Sequence, residues 1–121
     1  MATTFSASVL DAPDAHALAE FYRQFLGWEV AEDLPDWVVL RAPDGSARLS
    51  FQTEPRYRRP VWPSTDDDQQ MMTHLDIKVD DLEAEVARAV ALGGEVASFQ
   101  PQEQVRVCLD PVGHPFCLFL Y

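Results

Sequence analysis

The order of elements predicted along this chain occurs twice. Strand-like alternation, an apolar helical stripe and three further strand-like segments follow one another in each half of the 121 residues. The aspartates that can cap the two helices, Asp14 and Asp81, lie 67 positions apart, and the glycines that follow them, Gly27 and Gly93, lie 66 apart. Matching offsets at both ends of a helix indicate an internal duplication. The sequence therefore predicts an α+β fold made of two βαβββ modules.

The first module is predicted to span about residues 4–54. Strands are expected over residues 5–10, 28–32, 36–41 and 48–54, with a break after the first strand at residues 11–14. Between the first two strands, apolar residues recur at helical spacing and form one face of a helix. These residues are Leu18, Phe21, Tyr22, Phe25 and Leu26.

The second module is predicted to span residues 71–121. Its first strand, over residues 73–79, alternates strictly between aliphatic and polar side chains. Three more strands are expected over residues 95–99, 105–109 and 115–121. The helix between them carries an apolar stripe formed by Leu82, Val86, Ala89 and Val90.

Residues 55–70 are expected to connect the two modules within one domain that covers residues 1–121. This segment contains three prolines, which disfavour a central strand, and the only dense basic cluster, formed by Arg56, Arg58 and Arg59. The arginines could bind a substrate carboxylate or pair with the acidic run at residues 66–68. Trp62 lies in the same segment, where it could cover a binding site or contact a second subunit.

The charge of the chain disfavours some classes of binding partner. The 20 acidic side chains against 9 basic ones give a formal net charge of -11, which repels polyanions such as nucleic acids and anionic membranes. No apolar run approaches the ~20 residues of a membrane span, and no secretory segment is recognisable. Cys108 and Cys117 do not have the spacing of a zinc motif. We expect free thiols and a cytoplasmic location.

One helix covers only one face of a βαβββ sheet, so the other faces of the two modules are expected to enclose a shared hollow. Alternation on the strand over residues 73–79 points His74, Asp76 and Lys78 into this hollow. The polar face of the strand over residues 48–54 offers Ser50 and Gln52. The last strand is apolar on both faces and cannot be oriented. Cys117, Phe119 and Tyr121 share one parity, opposite to Phe116, Leu118 and Leu120.

His74 and Asp76 are the candidate catalytic residues, because a base and an acid on one strand face can exchange a proton with one ligand. The alternative is a structural hydrogen-bonded pair. Aromatic faces beside carboxylates favour a planar or cationic ligand. Trp28 and Trp37 could instead belong to the core. The predicted ligand-binding residues are Trp37, Ser50, Gln52, Trp62, His74 and Phe119.

Several segments together resemble glyoxalase-like domains of the vicinal-oxygen-chelate superfamily. Residues 74–83 and 91–94, with sequences HLDIKVDDLE and ALGG, resemble the start of the second half of these domains. Residues 109–118, LDPVGHPFCL, resemble their closing hairpin, and residues 18–22 and 26–28 resemble their first helix. The resemblance implies a small organic ligand and a homodimer. The superfamily includes glyoxalases, extradiol dioxygenases, epimerases, fosfomycin-modifying enzymes and bleomycin-binding proteins, so it does not fix one activity.

The resemblance also implies where a metal would bind, because metal-dependent members take ligands from the first and last strand of each half. His74 matches such a position, and Cys117 stands where a glutamate is usual. The last strand of the first half offers Ser50 or Gln52, while residues 4–7 on the first strand offer no strong ligand. The candidate metal set is therefore His74, Gln52 and Cys117.

Three functions remain open, one of which is an accessory or regulatory module that acts with a separate protein. The incomplete ligand set favours a metal-independent binding protein without a cofactor. The alternative is a divalent-metal-dependent lyase or dioxygenase that uses His74. The other histidines, His16 and His114, are expected to be exposed residues, His16 in the first helical turn and His114 in the turn before the last strand.

Overall fold

The computed structural model describes residues 2–120, which form two helices and two four-stranded mixed sheets, and the α+β prediction is confirmed. The first unit contains β1 (Ser8–Ala12), α1 (Ala15–Leu26), β2 (Glu29–Leu34), β3 (Trp37–Arg41) and β4 (Arg48–Thr53). The second contains β5 (Leu75–Lys78), α2 (Leu82–Ala91), β6 (Glu95–Val96), β7 (Val105–Leu109) and β8 (Pro115–Phe119).

The two sheets have the same topology. Their strand orders are β1-β4-β3-β2 and β5-β8-β7-β6, and in each the first strand runs parallel to the last. Val9 lies opposite Ser50, and Asp76 lies opposite Cys117. Each residue of the second pair follows its counterpart by 67 positions, the offset that also separates the two helix caps. The duplication therefore extends to strand register, and Ser50 rather than Gln52 is the counterpart of Cys117.

Local sequence fixes both helix starts as predicted. The Asp14 side chain accepts a hydrogen bond from the His16 N–H, and the Asp81 side chain accepts one from the Ala84 N–H. These contacts satisfy backbone donors that the first helical turn leaves without partners. At the end of α1, Gly27 adopts the left-handed conformation with φ of 70° and donates to the Arg23 carbonyl. A side chain at this position would be strained, which explains the glycine.

The core of the first unit is aromatic. α1 packs against β3 and β4, where Tyr22 and Phe51 are fully buried with ring centroids 5.7 Å apart. The Phe21 ring contacts Tyr22 edge-on and stacks with Phe25. Full burial of one such side chain stabilises a fold by about 1.5–3 kcal/mol. The predicted apolar stripe is thus the surface that fastens α1 to its sheet.

The predicted position of the first strand is wrong. β1 begins at Ser8 and includes Asp11 and Ala12, which were expected to break it, whereas Phe5 is 84% exposed. Pairing with β4 explains the shift, because the parallel ladder begins at Ser8 and continues to Ala12, whose carbonyl accepts from the Glu54 N–H. Strand pairing therefore overrides the weak local pattern.

In the second unit, the predictions hold for element order but not for every boundary. β6 has two residues instead of the five expected, and His74 precedes β5 rather than lying in it. Val90 was expected on the buried stripe of α2, but it is 46% exposed. Leu82 and Ala89, which are buried, lie two turns apart on one face, and Val90 is rotated away from that face. Tyr121 lies outside the described residues.

The chain divides into two compact units between Tyr57 and Arg58. Residues 58–70 of the predicted connection therefore belong with the second unit. The extent of one domain over both modules, and a hollow shared by them, stay predictions. No helix within residues 2–120 combines the length and apolar character needed to cross a lipid bilayer.

The two cysteines lie on opposite faces of the second sheet. Cys108 is opposite Phe116 across the β7–β8 ladder, while Cys117 is opposite Val107, and directly opposed residues share a face. Both thiols are free and buried, and their positions on opposite faces keep them from forming a disulfide. Desolvation raises the pKa of the Cys108 thiol to about 11, helped by its neighbour Cys117. The Cys108 side chain therefore belongs to the apolar core.

This burial predicts a pH-dependent loss of stability. Below pH 9 the Cys108 thiol is protonated in both states, but between pH 9 and about 11 only the unfolded chain releases the proton. Stability should therefore fall across this window, with Cys108 contributing about 2 kcal/mol to the fall. Urea unfolding of the wild type and Cys108→Ala at pH 8 and pH 11 measures this contribution. At pH 8 the difference in unfolding free energy between the two proteins gives the packing cost of the substitution alone. The same difference at pH 11 would contradict the prediction.

Candidate functional site

The strand register of the second unit gathers side chains on one face of its sheet. Asp76, Cys117 and Val107 lie side by side across β5, β8 and β7, and Val105 lies opposite Phe119 in the next row. These side chains line a cavity of about 370 Å³, a size suited to a small organic molecule. The complete lining consists of Trp62, His74, Asp76, Pro101, Gln102, Val105, Val107, Cys117 and Phe119.

Trp62 forms an aromatic wall of this pocket. Its ring stacks on the His74 ring with a centroid distance of 4.9 Å and an interplanar angle of 21°, and it meets Phe99 edge-on at 5.1 Å. The preceding residue, Val61, donates to the Gln69 carbonyl and forms a bridge with Gln70, which closes the loop that begins at Trp62. The proline-rich connection thus places an aromatic face over His74, directly before β5.

Arg59 anchors the same connection to the sheet. Its guanidinium donates to Glu95 in β6, and its side chain lies directly over Gly113 in the turn before β8. A Cβ atom at Gly113 would lie 2.5 Å from the Arg59 Cγ, so only glycine allows this approach. The sequence left two partners open for the arginines, a substrate carboxylate or residues 66–68. Arg59 instead pairs with Glu95.

A second loop supplies the opposite part of the lining. The Gln100 side chain donates to the Val107 carbonyl and accepts from the Val107 N–H, which fastens the segment between β6 and β7 beside the sheet. Pro101 and Gln102 follow directly and contact the cavity. Sequence reasoning missed both residues, together with Phe99, because this segment has no periodic pattern. Val105 and Val107 could have been found from strand parity once β7 was oriented.

His74, Asp76 and Cys117 meet at the polar end of the pocket. The His74 Nε2 lies 3.1 Å from the Asp76 Oδ1, and one donor atom from each of the three residues lies within 4.8 Å of the others. Burial and the Asp76 charge raise the pKa of the Cys117 thiol, so this side chain is protonated near neutral pH. The group can therefore offer hydrogen bonds to a ligand, or three ligand atoms to a metal ion.

The donor set suits some metals better than others. One imidazole nitrogen, one carboxylate oxygen and one sulfur match the ligand types and the number found in catalytic zinc sites. The same set fits Mg²⁺ poorly, because Mg²⁺ prefers oxygen ligands in an octahedral arrangement. Metal binding would have to displace the Cys117 proton. Asp76, which was expected as a catalytic residue, lies with His74 and Cys117 in this cluster.

Three predicted ligand-binding residues lie in the first unit. Trp37 is half-buried and pairs with Gln52 across β3 and β4, while Ser50 is buried on the same face. The Gln52 Nε2 donates to the Asp11 Oδ1 over 2.6 Å. Contacts of these residues with a ligand, and the role of Gln52 as a metal ligand, stay predictions.

The turn before β8 is more strongly fixed than expected. Asp110 is buried and accepts hydrogen bonds from the N–H groups of Val112 and His114. Its other oxygen lies 2.8 Å from the His114 Nδ1, and the His114 side chain is only 15% exposed. The expectation that His114 is an exposed residue is therefore wrong, because the buried carboxylate draws its ring inward. His16 is exposed as expected and contacts Asp33.

Comparisons with known proteins agree on the fold. The model of the glyoxalase-like domain family matches residues 7–119. A possible glyoxalase from Bacillus cereus superposes with a TM-score of 0.69 at 15% identity, covering 97% of this chain and 99% of that one. A glyoxalase family protein from Enterococcus faecalis gives a TM-score of 0.67 at 22% identity, covering 98% and 97%.

A third structure was solved with a ligand. It is the bleomycin-binding protein of Streptomyces verticillus complexed with copper(II)-bleomycin, with a TM-score of 0.58 at 20% identity, covering 100% of this chain and 99% of that one. A search of curated proteins found no match. At these identities the structural likeness shows the fold, while the family model covers nearly the whole sequence. The chain belongs to the glyoxalase-like domain family.

Proposed function

We propose that the pocket of the second unit binds a small planar organic molecule and does not need a metal ion to do so. The observation that carries the proposal is the stack of Trp62 on His74, which forms one wall of a cavity of about 370 Å³. Val105, Val107 and Phe119 make much of the remaining lining apolar. A flat molecule that enters this cavity removes apolar surface from solvent. It also gains an aromatic contact worth about 0.5–1.5 kcal/mol.

The polar end of the cavity orients the ligand and contributes less to its affinity than the apolar walls do. His74, Asp76 and Gln102 can hydrogen-bond one edge of a ligand whose faces contact apolar side chains. Family membership supports a binding role, because one structural relative was solved with bound copper(II)-bleomycin. The mismatch between Cys117 and the glutamate usual at its position supports metal independence.

We also propose that the protein acts in the cytoplasm as a homodimer. Cys108 and Cys117 are free in the described residues, as suits a reducing compartment. The resemblance to related domains supports the dimer. The net charge of -11 disfavours nucleic acid and anionic membranes as partners.

Removing the aromatic wall should weaken ligand binding. A panel of planar heteroaromatic compounds is screened by thermal shift in the presence of a chelator, and the best compound is then titrated calorimetrically. Trp62→Ala should lower its affinity about tenfold. Trp28→Ala is the matched control, because Trp28 is half-buried in the first unit and should leave affinity unchanged. Equal losses in both variants, or binding that disappears on chelation, would contradict the proposal.

The cluster of three donor atoms favours a second candidate function, a metal-dependent lyase or dioxygenase. A metal held by His74, Asp76 and Cys117 would polarise a ligand oxygen at the polar end of the pocket. Trp62 and Phe119 would then orient the ligand and exclude water.

Metal content decides between the two candidates. Protein dialysed against Zn²⁺, Fe²⁺ or Mn²⁺ is analysed for bound metal beside His74→Ala and His16→Ala. The His16 variant is the control, since His16 also contacts an aspartate but lies outside the cluster. The account predicts no stoichiometric metal in the wild type or in either variant. One equivalent that only His74→Ala loses, and on which ligand binding depends, would replace the metal-independent proposal with the enzymatic one.

A further inference from the structure

We infer that the ligand of this pocket is a planar organic cation and that Asp76 selects it by charge. The inference rests on the proposed function and adds the chemical class of the ligand. Asp76 is the only acidic residue of the described lining, and the lining contains neither lysine nor arginine. An anionic ligand would therefore meet a carboxylate without a lysine or arginine beside it, whereas a cationic ligand would meet an opposite charge.

The basic residues on the strands β5 and β7 are not part of the lining. Arg106 lies between the lining residues Val105 and Val107, but it faces Leu118 on the opposite side of the sheet. Its guanidinium donates to the backbone carbonyls of Glu103 and Val105. Lys78 lies on the same face of β5 as Asp76, opposite the lining residue Phe119, but it is exposed and is not part of the lining. The lining thus contains no lysine or arginine, although its own strands carry one of each.

The aromatic residues of the lining favour the same ligand. The faces of Trp62 and Phe119 are electron-rich and attract an organic cation by about 0.5–2 kcal/mol, depending on its desolvation. A planar cation, such as a quaternary or protonated heteroaromatic ring, can stack on an aromatic face while its charge lies near Asp76. An inorganic cation or an aliphatic amine would leave the apolar lining without a partner.

The Asp76 carboxylate can receive such a charge. Its side chain is 63% exposed, and the contact with His74 involves Oδ1. This large exposure limits how much an ion pair between Asp76 and a cationic ligand adds to affinity, because solvent screens an exposed charge. We therefore expect Asp76 to provide selectivity of several-fold and the apolar walls to provide most of the affinity. The net charge of -11 adds long-range attraction for cations.

The test uses three probes built on one bicyclic ring: N-methylquinolinium, neutral quinoline and quinoline-4-carboxylate. Each is titrated into the full chain at low ionic strength and neutral pH, with chelator present. N-methylquinolinium should bind about tenfold more tightly than quinoline-4-carboxylate, with quinoline between them. Asp76→Asn should weaken N-methylquinolinium about threefold to fivefold and leave quinoline within about twofold. Asp76→Glu keeps the charge and should keep the order of the three probes.

Asp67→Asn is the matched control, because it removes the same charge from an exposed residue outside the lining. It should leave all three affinities unchanged. An equal loss for N-methylquinolinium in Asp67→Asn would assign the preference to net charge and overturn the role of Asp76. Quinoline or quinoline-4-carboxylate binding as tightly as the cation would overturn the charge inference while the proposed binding function stands. If none of the probes binds the wild type, the proposed function itself fails for planar bicyclic ligands.

Discussion

The pairing of β5 with β8 and β7 is the constraint on which the candidate site depends. Its register sets Asp76, Cys117 and Val107 side by side on one face of the sheet. A shift of one residue would send Cys117 to the other face and replace it with Phe116 or Leu118, which would remove the polar end of the pocket. The wall formed by Trp62 depends on the same sheet, because it stacks on His74, next to the first residue of β5.

The internal duplication allows the two units to be compared at equivalent positions. The offset of 67 positions places Val9 and Ser50 in the first unit where the second has Asp76 and Cys117. An aliphatic side chain and a hydroxyl offer far weaker acid–base and metal-binding chemistry than a carboxylate and a thiol. The two modules thus keep one backbone pattern, while the carboxylate and the thiol at these two positions occur in the second.

The sequence predicted the features that depend on neighbouring residues. Both helix caps, the left-handed Gly27 and the parity that points His74 and Asp76 to one face arise from contacts within a few positions, and all are observed. Features that depend on distant partners were predicted less well. The start of β1 is set by its pairing with β4, and the inward position of His114 by the buried Asp110. Pro101 and Gln102 enter the lining from a segment without any repeat that periodicity could detect, and the contact of Phe99 with Trp62 joins residues 37 positions apart.

The central claim is that a ligand binds at the aromatic wall of the second unit. The most direct measurement is an amide and indole N–H correlation spectrum of ¹⁵N-labelled protein during titration with N-methylquinolinium. The account predicts that the Trp62 indole resonance and the backbone amides of His74, Val107 and Cys117 move together along one binding curve. If these resonances stay fixed while others shift in a saturable way, the ligand binds elsewhere and the account is wrong.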